Sequence, residues 1–181
     1  MEHPRYALVA YVRNEIGDFI QQLRKELHPD LPHLPAHLTI LPPRPLAGSE
    51  LSAVATLEEV CGRTDPFEVV LGEVETFVPV TPTVFVRVER GTRRMHELHD
   101  RLNVESLAGQ EEWPYMPHLT IVRVSTEDLA QQAYIVGRDR WAEYAGTRRI
   151  EVKELTFVRE QEENCWVDVA GVPLGRTLVN R

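Results

Sequence analysis

Cysteine is nearly missing from this 181-residue chain: Cys61 and Cys165 are the two present, in no CxxC or Cys/His spacing. A disulfide framework and a structural zinc site are therefore not expected. Lysine is equally scarce, with Lys25 and Lys153 set against 18 arginines. Arginine is the better fork for phosphate oxygens, although a biased coding sequence gives the same imbalance. Long apolar runs are absent too. The opening stretch "MEHPRYALVAYVRNE" is broken by Arg5 and Arg13 and is too short for a secretory core or a membrane span, so a soluble cytoplasmic protein without a membrane partner is expected. Positive charge is in deficit, at a formal net charge of -8. That argues against broad coating of double-stranded DNA, which needs a basic face to displace counterions, and leaves a small anionic ligand open. No low-complexity tract, long linker or block of like charge interrupts the chain. Residues 1–181 are expected to form one domain that buries its own core and acts as a monomer.

What is present is order, written twice. The apolar stretch 5–12 predicts a strand, and 14–28 a helix behind an Asn cap, with Ile16, Phe19, Ile20, Leu23 and Leu27 at helical spacing. A proline-punctuated loop follows at 28–35, then a strand at 36–41 stopped by Pro42 and Pro43. A Ser-capped helix is predicted at 48–63 and an alternating strand at 66–78. The second half repeats this sequence of elements: strand 83–89, helix 91–109, strand 118–124 and a Ser-capped helix at 125–146. Strands at 148–160 and 165–171, paired around "QEEN", close the chain. The fold class expected is α+β, a bilobal duplicated fold with pseudo-twofold symmetry. Each lobe is a small, mostly antiparallel sheet backed by helices, and a groove runs between the lobes.

At the same place in each repeat stands the tetrapeptide His-Leu-Thr-Ile, at 37–40 and 118–121, with its histidines 81 residues apart. On a strand, residues two apart share a face and lie roughly 6.5 to 7 Å apart. One imidazole and one hydroxyl therefore project together, while Leu38, Ile40, Leu119 and Ile121 point to the core. Two such strands facing one groove offer His37, Thr39, His118 and Thr120 to one phosphate. In-line displacement at phosphorus needs a base for the entering oxygen and an acid for the leaving one. Two imidazoles supply both near neutral pH, and threonine hydroxyls can donate to the non-bridging oxygens. This logic requires no metal and no other cofactor.

The paired motifs resemble those of the 2H phosphoesterase superfamily, including the 2'-5' RNA ligase family and cyclic nucleotide phosphodiesterases. The second copy, "PHLTIVR", is similar to the Pro-His-x-Thr-x-x-Arg form of the RNA ligase branch. The resemblance implies His37 and His118 as an acid and base pair, Thr39 and Thr120 as phosphate binders, and Arg123 as a further phosphate or substrate contact. Pro42 stands at the matching position of the first motif, so one lobe alone offers this arginine. The expected partners are RNA ends or small nucleotides bearing a 2',3'-cyclic phosphate. The expected activity is their hydrolysis, with 2'-5' ligation as the reverse sense; a non-catalytic nucleotide or RNA-end binding module of the same fold is the alternative.

Other residues carry weaker expectations. Tyr115 stands before the second motif, where it can stack on a base or pack on the rim. Phe85 can line the groove or enter the core. His96 and His99 lie one turn apart on a helix but lack a third ligand and the HExxH spacing. A metal hydrolase built on His28, His33 and His37 is the most distant reading.

Overall fold

The computed structural model describes residues 3–30 and 35–175. Along the chain come β1 (Tyr6–Tyr11), α1 (Glu15–Leu27), β2 (His37–Arg44), α2 (Glu50–Gly62), β3 (Phe67–Thr76), β4 (Thr83–Arg90), α3 (Thr92–Leu102), a 3-10 turn (Glu105–Leu107), β5 (His118–Arg123), α4 (Glu127–Glu143), β6 (Arg149–Val152), β7 (Glu154–Glu162) and β8 (Cys165–Pro173). All the strands join one antiparallel sheet in the order β6-β3-β4-β5-β2-β1-β7-β8. The two lobes are its halves, four strands each, and they meet where β2 pairs with β5 at Leu38 and Leu119. The third strand of each repeat crosses over: β3 pairs with β4 of the second repeat, and β7 pairs with β1 of the first.

One face of the sheet is apolar, and the helices cover it. Leu38, Ile40, Leu119 and Ile121 are wholly buried there, with Ile16, Ile20, Leu57, Met95, Leu98 and Trp141; each full burial contributes about 1.5–3 kcal/mol. The first helix of each repeat reaches over the seam: α1 packs on β5 and α3 on β2. The return of α1 onto the sheet is so tight that a Cβ at Gly17 would collide with the Val12 carbonyl. Asn14 caps α1 by accepting from the Ile16 and Gly17 amides, and Ser49 caps α2.

Four boundaries differ from the sequence expectation. β2 does not stop before its prolines but runs on to Arg44. Beyond Leu38 it has left β5, and Pro42 and Pro43 fall where its register with β1 slips between Leu41 and Arg44, a bulge that needs no ladder donor. The helix expected over 91–109 ends at Leu102, because the Asn103 side chain accepts from the Gly109 amide and Arg44 and so folds the chain back. α4 is capped by Thr126, whose hydroxyl accepts from the Leu129 amide at 3.2 Å, rather than by Ser125. The strand expected at 148–160 is two strands split at Lys153. β6 pairs with β3 at one edge of the sheet, and β7 pairs with β1 and β8 near the other. One residue bridges these positions, so the sheet must curl until its ends approach. A cleft of about 770 Å³ lies at that closure, lined by Tyr11, Arg13, Arg149, Lys153 and Thr156 among others. Neither motif histidine lines it.

Candidate active site

The single registered pair between β2 and β5 sets the geometry. Leu38 sits opposite Leu119 on the helix side. The flanking residues His37 and Thr39 on β2, and His118 and Thr120 on β5, alternate to the opposite face of the sheet. Same-face residues on a strand lie about 6.5 to 7 Å apart, so the two imidazoles and two hydroxyls stand on one face around the Leu38–Leu119 pair. All four are partly accessible.

The imidazoles are held alike. His37 Nδ1 lies 2.8 Å from the Pro35 carbonyl and His118 Nδ1 lies 2.7 Å from the Met116 carbonyl. A carbonyl can only accept, so each Nδ1 carries the proton and each neutral ring leaves Nε2 as the base atom. Burial is the main reason both histidines are held below the ordinary imidazole value, with the carbonyl contacts opposing the shift. Positive charge on Arg24 and on His118 lowers His37 further.

Beyond Leu38 and Leu119 the two strands part, and their inward carbonyls need other donors. Each receives one from the opposite repeat. The Tyr115 hydroxyl donates to the Thr39 carbonyl at 2.8 Å. Arg24, 8% exposed on α1, donates from Nε to the Ile121 carbonyl at 2.8 Å and from its terminal nitrogen to the Thr120 carbonyl at 3.0 Å. Sequence reasoning did not single out Arg24. A signal was present, since residue 24 falls on the apolar stripe formed by Ile16, Ile20 and Leu27, where a charge needs a buried partner.

Tyr115 is thereby placed as a strut. Its ring lies flat on His99, with centroids 4.2 Å apart and planes at 7°. His99 Nε2 lies 2.6 Å from Glu111, and Glu111 is 2.7 Å from buried Arg44. Burial pushes the Glu111 carboxyl up, but hydrogen bonds from Arg44 and His99 outweigh it and hold the group below the ordinary carboxylate value. Phe85 is on the groove side of β4, in register with Thr120, yet it is only 3% exposed. Phe77 stacks on it at 4.1 Å, and His118 meets its ring at 5.2 Å. Phe85 is therefore the backing of the His118 wall, with no ring face open for stacking.

Arg123 reaches the groove face through a device invisible in the motif. On a regular strand, residue 123 would share the core face with Leu119 and Ile121. The register of β5 on β4 slips between Val84 and Phe85, so Val122 joins Ile121 in the core and Arg123, opposite Thr83, returns to the face of Thr120. β2 slips at the matching place against Leu8 and Val9, burying both Ile40 and Leu41. The duplication thus extends to the bulge. Arg123 is exposed at the end of β5.

The metal-ligand candidates are not gathered. Both nitrogens of His99 already face carboxylates, Asp100 and Glu111, and His96 lies edge-on to Tyr115. His28 caps the end of α1, while His33 lies outside the described residues. Among the described residues no group of three or more His, Cys, Asp or Glu is arranged to hold an ion. No described helix is long and apolar enough to cross a membrane.

Comparison with known proteins identifies a family and a fold. The model of the 2'-5' RNA ligase superfamily matches residues 12–164. A Bacillus cytotoxicus protein named "Putative phosphoesterase" is 26% identical over 159 residues, covering 87% of this chain and 91% of its own length. Escherichia coli LigT in apo form superposes with a TM-score of 0.63 at 18% identity, over 96% of this chain and 99% of LigT. TT0787 of Thermus thermophilus does so with a TM-score of 0.65 at 18% identity, over 94% of this chain and 98% of its own. LigT has also been crystallised with 3'-AMP, NADP+ and ATP.

Proposed function

The chain belongs to the 2'-5' RNA ligase superfamily, and from that premise we propose that it is a metal-independent phosphoesterase opening 2',3'-cyclic phosphates of RNA ends or small nucleotides. The observation that carries the reading is the quartet His37, Thr39, His118 and Thr120, set on one face by the Leu38–Leu119 pair. One neutral imidazole takes the proton of the attacking water at its Nε2. The water oxygen bonds to phosphorus, one ring P–O bond breaks, and the second imidazole, protonated, gives its proton to the leaving ribose oxygen. The product is a 2'- or 3'-phosphomonoester. Thr39 and Thr120 donate to the non-bridging oxygens, and the gain is greatest as charge develops there. Arg123 adds a forked cation from the β5 side.

If the 5'-hydroxyl of a second RNA end replaces water, the same step makes a 2'-5' bond and frees the 3'-hydroxyl. Water is in vast excess over RNA ends, so mass action favours hydrolysis. That nucleotides occupy LigT supports a nucleotide-sized ligand in this groove.

The deciding experiment offers a panel of 2',3'-cyclic phosphates, from mononucleotide to short RNA, with and without EDTA, and identifies the product isomer. Turnover that survives chelation is expected. Activity lost in EDTA and restored by zinc or manganese would overturn the mechanism. Tight binding of the same compounds with no turnover would establish a binding module instead.

A further inference from the structure

We infer that the ring of partly exposed Phe77, backed by Phe85, is the seat of the substrate's nucleobase, so that the groove selects base-bearing cyclic phosphates over base-free ones. The inference rests on the reaction proposed for the two histidines and names the substrate portion that lies beside them. Phe77 follows β3 directly, and one face of its ring is stacked on Phe85, with centroids 4.1 Å apart and planes at 28°. Its T-shaped contact with the imidazole of His118, 5.2 Å between centroids, puts it directly beside one of the two motif histidines. Phe77 as a residue is partly exposed.

Other aromatic rings near the motif strands are engaged, Trp166 among them, with the Arg5 guanidinium 6.0 Å from its ring centroid. Phe85 is buried, and Tyr115 lies flat on His99 with its hydroxyl on the Thr39 carbonyl. Tyr11, opposite His37 on β1, is covered by the Arg13 guanidinium at 4.8 Å and held by Asp168 at 2.6 Å.

The backbone around Phe77 is pinned before any ligand arrives. Its amide donates to the Thr83 carbonyl at 3.0 Å, its carbonyl accepts from the Val80 amide at 2.8 Å, and the Thr76 hydroxyl donates to Thr83 at 2.9 Å. A ring held this way loses little freedom on stacking, which favours binding. Phenylalanine has no hydrogen-bonding group, so it accepts any base through its π-face. Purines, with the larger overlap, should be preferred to pyrimidines. The matching position to Phe85 in the first repeat is the aliphatic Val9, in a small cluster with Ala7 and Val158 against which Tyr11 and Trp166 pack, so the ring-on-ring backing found under Phe77 belongs to the β5 side of the groove and would set which way round a nucleotide lies.

The test compares adenosine 2',3'-cyclic phosphate with a base-free ribose 2,3-cyclic phosphate. For Phe77→Ala we expect kcat/KM on the adenosine substrate to fall roughly 5- to 150-fold, the worth of one base-aromatic stack. Most of that fall should be a rise in KM, and it should exceed the loss on the base-free substrate at least fivefold. Phe77→Trp should restore the preference. An equal loss on both substrates would make Phe77 a support for His118 and end the inference. So would a selective loss in Tyr11→Leu with none in Phe77→Ala. Should the unaltered protein turn over neither compound, it is the proposed reaction that fails. The seat is then read from binding of 3'-AMP against ribose phosphate: weakening confined to 3'-AMP in Phe77→Ala sustains it, and unchanged affinity removes it.

Discussion

The two halves of the groove carry the same four letters, yet they stand in unequal surroundings. On the β2 side the Thr39 carbonyl is held by the neutral phenol of Tyr115. On the β5 side the Thr120 carbonyl is held by the cation of Arg24. The β5 side also has Arg123 where β2 has Pro42, and Phe85 where β1 offers Val9. Shared between the halves are the backbone devices: the bulge after each threonine, the carbonyl under each Nδ1 and the donor reaching across the seam. The lesson is that duplication copies geometry more faithfully than electrostatics. A backbone device depends on register, whereas the side chain that fills the gap need only bring a donor. Two chemically identical histidines can therefore be assigned different roles by what stands behind them.

The largest expected effect separates the halves outright. His37→Ala and His118→Ala should each lose roughly a hundred- to ten-thousandfold in kcat, and the double variant far less than the product of the two. A substrate whose leaving group needs no proton should rescue one single variant and not the other, which names the acid. Near-full activity in either folded single variant removes the two-histidine mechanism. Next come the hydroxyls. Thr39→Val and Thr120→Val keep the β-branched shape and should lower kcat roughly ten- to a thousandfold; wild-type rates in both would dismiss the phosphate clamp.

The seam donors test the inequality itself. Arg24→Met strips one buried and one part-buried carbonyl of a donor and Tyr115→Phe strips one part-buried carbonyl, at up to about 1–3 kcal/mol for each group left unsatisfied. Urea unfolding should therefore show the arginine variant as the less stable of the pair, and the reverse order would refute this account of the seam. For Arg123→Lys, kcat/KM should drop roughly tenfold as one charged hydrogen bond is lost. Unchanged kinetics there and in Arg123→Met would remove this residue from the site.

The smallest effect is one of pH. Because burial holds both histidines below 6.5, the kcat/KM bell should be centred on the acid side of 6.5, with limbs that belong to the coupled pair. Arg24→Met takes away a positive charge that lowers His37, so a limb should move toward higher pH; Tyr115→Phe should leave the limbs in place. The same shifts bear on folding. The unfolded chain takes up these protons first as pH falls below about 6.5, so stability should decline from there and level off below the folded-state values. A stability maximum on the acid side of the bell would contradict the burial argument.

Much of the fold was legible because apolar periodicity reports directly on burial. The strand-helix order, the Asn14 and Ser49 caps, and the split of each HLTI into a polar and a core face all follow from local spacing. What escaped depends on partners distant in the chain. Pro42 and Pro43 signal a strand end locally, but they are tolerated where β2 meets a register slip. Lys153 breaks a strand only because β6 and β7 have different neighbours. Tyr115 and Phe85 lie beside the motif strands, where their ring faces are taken by His99, Phe77 and His118; no local spacing announces which rings will meet.

By itself, the sequence determined that two imidazoles and two hydroxyls would stand on polar strand faces in a duplicated α+β chain, because side-chain alternation on a strand is a local property with a period of two. The tertiary structure alone decided that the two strands would lie side by side, that both His-Thr pairs would share one face of the sheet, and that a bulge would turn Arg123 onto that face. It also decided that Arg24 would fill one gap and Tyr115 the other. Those outcomes hang on a single inter-strand pair, Leu38 with Leu119, and on the need of buried carbonyls for any donor within reach. Register and reach between residues 76 to 97 positions apart are settled only when the whole sheet closes.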